Sequence, residues 1–156
     1  MSPSPITRHQ RTSRTLLVKL IGFIEHNGLG EMFYAPYDVI LSDQHIVQPD
    51  LLFVSKNRQS IITEKNIQGA PDFIVEILSE HNRRQDEIDK RKVYEQFGVQ
   101  EYWIVDPEVE SVKIYQLKEC SYKKPVLLSK GADDHLESKV LPGFRLPLAG
   151  LFPEVL

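Results

Sequence analysis

The chain of 156 residues has one cysteine, Cys120. That excludes an internal disulfide and any site built from several thiolates, zinc or iron–sulfur alike, and makes a reducing cytoplasm the expected setting. No apolar run approaches the roughly 18 residues of a bilayer-spanning helix, and the start MSPSPITRHQ lacks the apolar stretch of a secretory leader, so no membrane partner is expected. No glycine-rich phosphate loop and no nucleophile elbow occurs. His9, His26, His45, His81 and His135 show neither the two-residue nor the four-residue spacing of paired metal ligands. Charge of one sign is also scarce: the formal net charge is -3, so only a local basic face could argue for a nucleic-acid partner. Internal repeats, low-complexity tracts and a linker to a second domain are absent. What remains, 41% hydrophobic and 26% charged residues, is an ordinary soluble composition that fits one domain over residues 1–156.

Residues 6–27, ITRHQRTSRTLLVKLIGFIEHN, place His9, Ser13, Leu16, Leu17, Leu20 and Ile24 on one helical stripe, with Gly28 as a stop. Arg8, Arg11 and Arg14 sit at the polar end of that helix, where a solvated face is the favoured reading over DNA contact. EMFYAPYDVILS and HIVQPDLLFVS are β-rich runs around the turn Ser42-Asp43-Gln44, and predict adjacent antiparallel strands. A connector with a short helix is expected over 55–69, then a third strand in APDFIVEILS. HNRRQDEIDKRKVYEQFGV predicts a second helix, with Asn82 as N-cap and Gly98 as its stop. EYWIVDP, SVKIYQL and PVLLSKG read as further strands, and KVLPGFRLPLAGLF as an apolar tail packed over the sheet.

Two carboxylates interrupt this pattern. Asp50 opens the apolar stretch LLFVS, and Glu76 sits inside FIVEIL. Burying an unpaired carboxylate is costly, so each needs a positive partner: a metal ion, an arginine or a lysine. The second helix offers Lys90, Arg91 and Lys92. At 100° per residue, Tyr94 and Phe97 fall within about 40° of Lys90, whereas Arg91 and Lys92 rotate away by about 100° and 200°. Lys90 therefore shares the aromatic, inward stripe, although Ile88 points the other way and a lysine snorkelling among aromatic stems would look similar. Asp72 lies four residues before Glu76, on the same strand face, but a turn carboxylate bonded to nearby backbone N–H groups is the favoured reading, as it is for Asp106 before Pro107. His9 shares the inward stripe of the first helix, where a satisfied core histidine is favoured over a catalytic one.

Pro49-Asp50, 25 intervening residues and Glu76-Ile77-Leu78, on an α-β-β-β-α-β order, resemble the PD-(D/E)xK nuclease superfamily. VQPDLLFVS, GAPDFIVEILSE, DKRKVYEQFGVQEYWIVDP and the LPGF tail resemble, more specifically, the Uma-type family of restriction-endonuclease-like proteins, over nearly the whole chain. The resemblance implies an α/β (α+β) fold with a mixed sheet flanked by helices and extra C-terminal strands. In that family the strand lysine two residues after the glutamate is missing and a helix lysine takes its place; here Leu78 holds the strand position, and Lys90 matches the helix lysine. Members usually carry an acidic hairpin motif ahead of the stretch matching SPSPITRHQ, so the resemblance brings two expectations: an in-frame continuation ahead of Met1, or loss of an acidic residue near the site.

The activity implied is metal-dependent hydrolysis of DNA phosphodiester bonds. Asp50, Glu76 and Lys90 would be its catalytic residues, and Asp50, Glu76 and the carbonyl of Ile77 would hold Mg²⁺ (or Mn²⁺). Arg83 and Arg84 would contact the DNA backbone, and a homodimer is expected. Two other readings stay open: a non-cleaving DNA-binding or protein-interaction module on the same fold, and a structural protein in which Glu76 and Lys90 are no more than a buried ion pair.

Overall fold

The computed structural model describes residues 6–154 apart from 82 and 84, so Asn82 and Arg84, singled out above as helix cap and backbone contact, lie outside the described residues. Helix α1 (Thr7–Asn27) buries His9, Thr12, Leu16, Leu20 and Ile24, close to the expected stripe but with Thr12 replacing Ser13. It ends where Gly28 turns left-handed at φ 59°, which lets the chain reverse without the Cβ clash other residues would meet.

Each of the two expected β runs divides in two. The first gives β1 (Gly30–Tyr34) and β2 (Val39–Ser42), the second β3 (His45–Val47) and β4 (Leu51–Ser55). β2 and β3 form the predicted antiparallel hairpin, β1 and β4 pair antiparallel in a different sheet, and the breaks fall at Pro36 and Pro49, which lack the N–H a ladder needs. A 3₁₀ turn (Lys56–Ile61) and short β5 (Ile67–Gln68) lead to β6 (Phe73–Ile77). A π-helical turn (Gln85–Asp89) runs into α2 (Lys90–Gln96), which leads on to β7 (Glu101–Asp106), β8 (Ser111–Lys118), β9 (Ser121–Tyr122) and β10 (Val126–Ser129). The apolar tail, expected only to pack over the sheet, also carries β12 (Arg145–Pro147) and the short α3 (Leu148–Leu151), and β12 pairs antiparallel with β11 (His135–Glu137) just ahead of the tail.

The main sheet runs β1-β4-β6-β7-β8-β10, with β9 on β8; β6 and β7 are parallel and the other neighbours antiparallel. This is the mixed sheet that was expected. β4, β6 and β7 are buried on both faces, which explains their continuous rather than alternating apolar runs. On one face Leu16, Leu20 and Ile24 pack on Phe53, Val75, Ile77 and Trp103, together with Leu141, Phe144 and Leu151 of the tail. On the other, Leu52, Ile74, Ile104 and Tyr102 meet Tyr94 of α2 and the small sheet β3-β2-β5. The residue that places β1 against β4 is Gly30, at φ 152°, where an added Cβ would run into the carbonyl oxygen of Val54. Gly30→Ala is expected to cost about 2–4 kcal/mol, from strained backbone plus overpacking, measurable by urea unfolding.

Candidate functional site

The site forms where β4 begins and β6 ends. Leu51 lies opposite Val75 in the β4–β6 ladder, which brings Asp50 beside Glu76: the Asp50 N–H donates to Glu76 Oε1 at 3.3 Å. Asp50 Oδ2 in turn accepts from the Ile77 N–H at 2.7 Å. Glu76 is 1% exposed, and its other oxygen, Oε2, accepts from Lys90 Nζ at 2.6 Å. Thus the three residues singled out for chemistry, from a strand start, a strand interior and a helix start, come together in one place. Burial pushes the Asp50 carboxyl above its ordinary range, partly offset by the Ile77 N–H and by the nearby His9 and Lys90.

The direction of Lys90 depends on the π-helical turn before it. Lys90 is the first residue of α2, one turn ahead of the fully buried Tyr94, so a wheel drawn from Lys90 forward is correct. Drawn backward it is not, because Ile88 sits in a π turn, with a different angular step, and is exposed. Arg91 turns instead to Tyr115, its guanidinium 5.5 Å from the ring centre, and Lys92 is exposed.

Other carboxylates have separate work. Asp72 takes the backbone N–H of Ser55 at 2.7 Å and its hydroxyl at 3.2 Å, with Arg58 at 3.4 Å. It is a backbone-binding carboxylate as favoured, though the N–H it binds belongs to β4 across the sheet rather than to its own turn. Asp106 Oδ1 accepts from the N–H groups of Glu108 and Val109, the local turn bonding expected of it. Its Oδ2 accepts from Arg83 Nη1 at 2.6 Å, and Glu108 lies 3.7 Å from the same guanidinium, so Arg83 is held by two acidic neighbours. Burial alone would push Asp106 up; the hydrogen bond and charge of Arg83, with the two backbone N–H groups, hold it below the usual carboxylate range. A carboxyl lowered on folding stabilises above its unfolded pKa of about 3.9 and loses that contribution as pH falls through the folded value. Asp106→Asn should therefore unfold at lower urea than wild type at pH 7, and the gap should close below about pH 4.

Two participants were not foreseen in these roles. His9, assigned to the core, reaches Ile77: its Nε2 is 3.0 Å from the Ile77 carbonyl oxygen and 3.8 Å from Asp50 Oδ2. Glu101, wholly buried at the start of β7, accepts hydrogen bonds from Trp103 Nε1, Gln116 Nε2, Ser138 Oγ and the Lys139 N–H. The signal for Glu101 was a carboxylate opening an apolar strand, the same signal that marked Asp50, but its four donors are neutral and no lysine faces it in this network.

In donor chemistry, Asp50, Glu76 and the Ile77 carbonyl offer the oxygen atoms that a hard divalent cation takes, and the groups now facing them (the Ile77 N–H, Lys90 Nζ and His9 Nε2) are all donors or cations. Among the described residues no three His, Cys, Asp or Glu side chains converge as a closed metal cluster, so a cation of this kind would complete its sphere with water and substrate oxygens. Outside the carboxylate pair, a cavity of about 670 Å³ at the N-terminal end of α1 is lined by Arg8 and Arg11, with Lys130, Glu110 and Phe152 among the other walls. Arg8, Arg11 and Arg14 are all exposed. Among the described residues no helix is long and apolar enough to cross a membrane.

Comparison with known proteins gives one family and one fold. The model of a family described as "Uma2: Putative restriction endonuclease" matches residues 1–149. The crystal structure of a "putative nuclease belonging to DUF820" from Anabaena variabilis ATCC 29413 superposes over 97% of this chain and 84% of that one, with TM-score 0.81 and 18% sequence identity. That similarity shows the same nuclease-like α+β architecture. The type IIG restriction endonuclease BpuSI covers 76% of this chain and 13% of its own, at 12% identity and TM-score 0.44, too slight a likeness to bear on the fold. No curated protein matches the chain.

Proposed function

The chain belongs to the Uma2 family, described as "Putative restriction endonuclease", and from that premise we propose that it is a metal-dependent endonuclease that hydrolyses DNA phosphodiester bonds at Asp50, Glu76 and Lys90. The observation that carries this reading is the Lys90 Nζ to Glu76 Oε2 contact of 2.6 Å beside Asp50. On this reading Lys90 would stand in for the lysine that the strand lacks at Leu78.

Asp50, Glu76 and the Ile77 carbonyl would hold Mg²⁺ or Mn²⁺. Such an ion, when bound, stabilises negative charge on phosphoryl oxygens and acidifies a bound water. Lys90, fixed by its first-turn place in α2, would orient the attacking water or contact the scissile phosphate with its ammonium. The apolar residues around Glu76 keep bulk water from competing for these contacts. Arg8 and Arg11, exposed beside the cavity at α1, suit non-bridging phosphate oxygens; Arg83 would reach DNA only by exchanging Asp106 for phosphate. Binding through phosphates makes affinity fall steeply with salt.

The test is cleavage of supercoiled, linear and branched DNA with Mg²⁺ or Mn²⁺ by wild type and Asp50→Asn. Loss of cleavage in the variant supports the reading, and equal cleavage by the two proteins overturns it. The variant also has a defined stability. Because burial raises the Asp50 pKa, this group favours folding below about pH 3.9, and that contribution is lost as pH rises through the folded value. At pH 7 without metal, Asp50→Asn should melt at the same temperature as wild type or higher, while the rise in Tm on adding Mn²⁺ should vanish; calorimetry reads both.

A further inference from the structure

We propose that His9 is a side-chain ligand of the same divalent cation, through Nε2, giving the site a mixed imidazole and carboxylate donor set that favours Mn²⁺ over Mg²⁺. The proposal rests on the cation reading of Asp50 and Glu76 and adds to it a residue from α1.

Three observations point this way. His9 Nε2 is aimed at two of the oxygens assigned to the cation, 3.0 Å from Ile77 O and 3.8 Å from Asp50 Oδ2. Adjacent ligands on an octahedral ion with bonds of about 2.1 Å stand about 3.0 Å apart, so the first spacing suits a shared cation as well as a hydrogen bond. The second is wider, and His9, Asp50 and Glu76 do not converge as a preformed cluster, so the cation would have to draw the Asp50 carboxylate off the Ile77 N–H.

The other ring nitrogen supplies the second observation. His9 is 8% exposed, yet its Nδ1 is buried with no hydrogen-bond partner. Buried polar groups have a partner in the great majority of cases, so this nitrogen is an exception that calls for a role. Here only the nitrogen facing the carboxylates is engaged, as donor to the Ile77 carbonyl. Nδ1 can take that proton when a cation displaces it, which leaves the Nε2 lone pair for the metal.

Third, the position follows from the helix. α1 has no acidic residue in its first turn, and the polar residues around His9 there, Thr7, Arg8, Gln10 and Arg11, are exposed. His9 alone extends the buried stripe of Thr12, Leu16 and Leu20 up to the ends of the strands. An imidazole rather than a carboxylate at this place shifts preference away from Mg²⁺, which takes oxygen donors, toward Mn²⁺.

Mn²⁺ binding measured by calorimetry, with electron spin-echo envelope modulation on the Mn²⁺-loaded protein, tests this directly. Wild type should show nitrogen modulation that changes when histidine is labelled with the heavier nitrogen isotope, a readout independent of any variant. His9→Gln and His9→Ala should lose the modulation and bind Mn²⁺ about tenfold or more weakly, with a smaller change for Mg²⁺. Mn²⁺ bound by wild type and lost in Asp50→Asn, but without histidine nitrogen modulation, would overturn the role of His9 and leave the carboxylate site standing. If wild type binds no Mn²⁺, or Asp50→Asn binds it unchanged, both this proposal and the cation reading of the carboxylates fail.

Discussion

Lys90→Ala and Glu76→Gln are each expected to lower metal-dependent DNA cleavage by about 10²- to 10³-fold, the loss typical of removing one charge-stabilising group from a preorganised site. Their effects on the fold should differ. Lys90→Ala takes away the ammonium that pairs at 2.6 Å with a carboxylate 1% exposed. Breaking a buried pair this way costs about 3 kcal/mol, the lower end of the range because Lys90 is itself 21% exposed. A divalent cation at the carboxylates would offset that cost, so the Lys90→Ala protein should gain more Tm from Mn²⁺ than wild type does.

Glu76→Gln removes the charge and keeps the shape. It should stay folded but lose both the Mn²⁺ response and cleavage. The double variant Glu76→Gln with Lys90→Met separates chemistry from structure. If the pair were only structural, replacing both charges would restore stability and leave any nuclease activity intact. On the catalytic reading, stability returns and cleavage does not.

The largest stability loss is expected at Glu101. Glu101→Ala should destabilise the protein by about 3–5 kcal/mol, read as a fall in the urea midpoint with an unchanged slope. Four donors converge on this wholly buried carboxylate, Ser138 Oγ at 2.5 Å and the Lys139 N–H at 3.0 Å among them. Hydrogen bonds to a charged acceptor are worth more than neutral ones, and removing the acceptor leaves the Trp103 and Ser138 donors buried without it. Ser138 and Lys139 lie between β11 and β12, so Glu101 ties the C-terminal tail to β7 of the main sheet. Glu101→Gln, which keeps an acceptor oxygen, should lose less. Neither substitution touches Asp50 or Glu76, so variants that remain folded should keep their affinity for Mn²⁺.

Residue by residue, the chain order states which segments are buried and which carboxylates are out of place. The Leu16-Leu20-Ile24 stripe, the apolar runs LLFVS and FIVEI, and the stop at Gly28 all appear in the structure where the periodicity placed them. Periodicity could reach this far because burial of a helix stripe or a strand face is a property of neighbouring residues along one element. Asp50 and Glu76 stood out for the same reason: each is a charge inside a local apolar pattern. The splitting of the β runs was also written locally, in Pro36 and Pro49, but which sheet each half would join was not.

Tertiary structure decided every partnership. The wheel could turn Lys90 inward, but only the β6-to-α2 crossing brings it to Glu76, and the π turn ahead of it upset the angle to Ile88. Glu101 carries the same local mark as Glu76, yet one meets a lysine and the other four neutral donors. His9 reads as core until α1 is laid against the end of β6, 68 residues away in sequence. The sequence by itself determined which groups must be compensated when buried. The compensating atoms come from elements far apart in the chain, so strand register and helix packing alone determine which atoms those are.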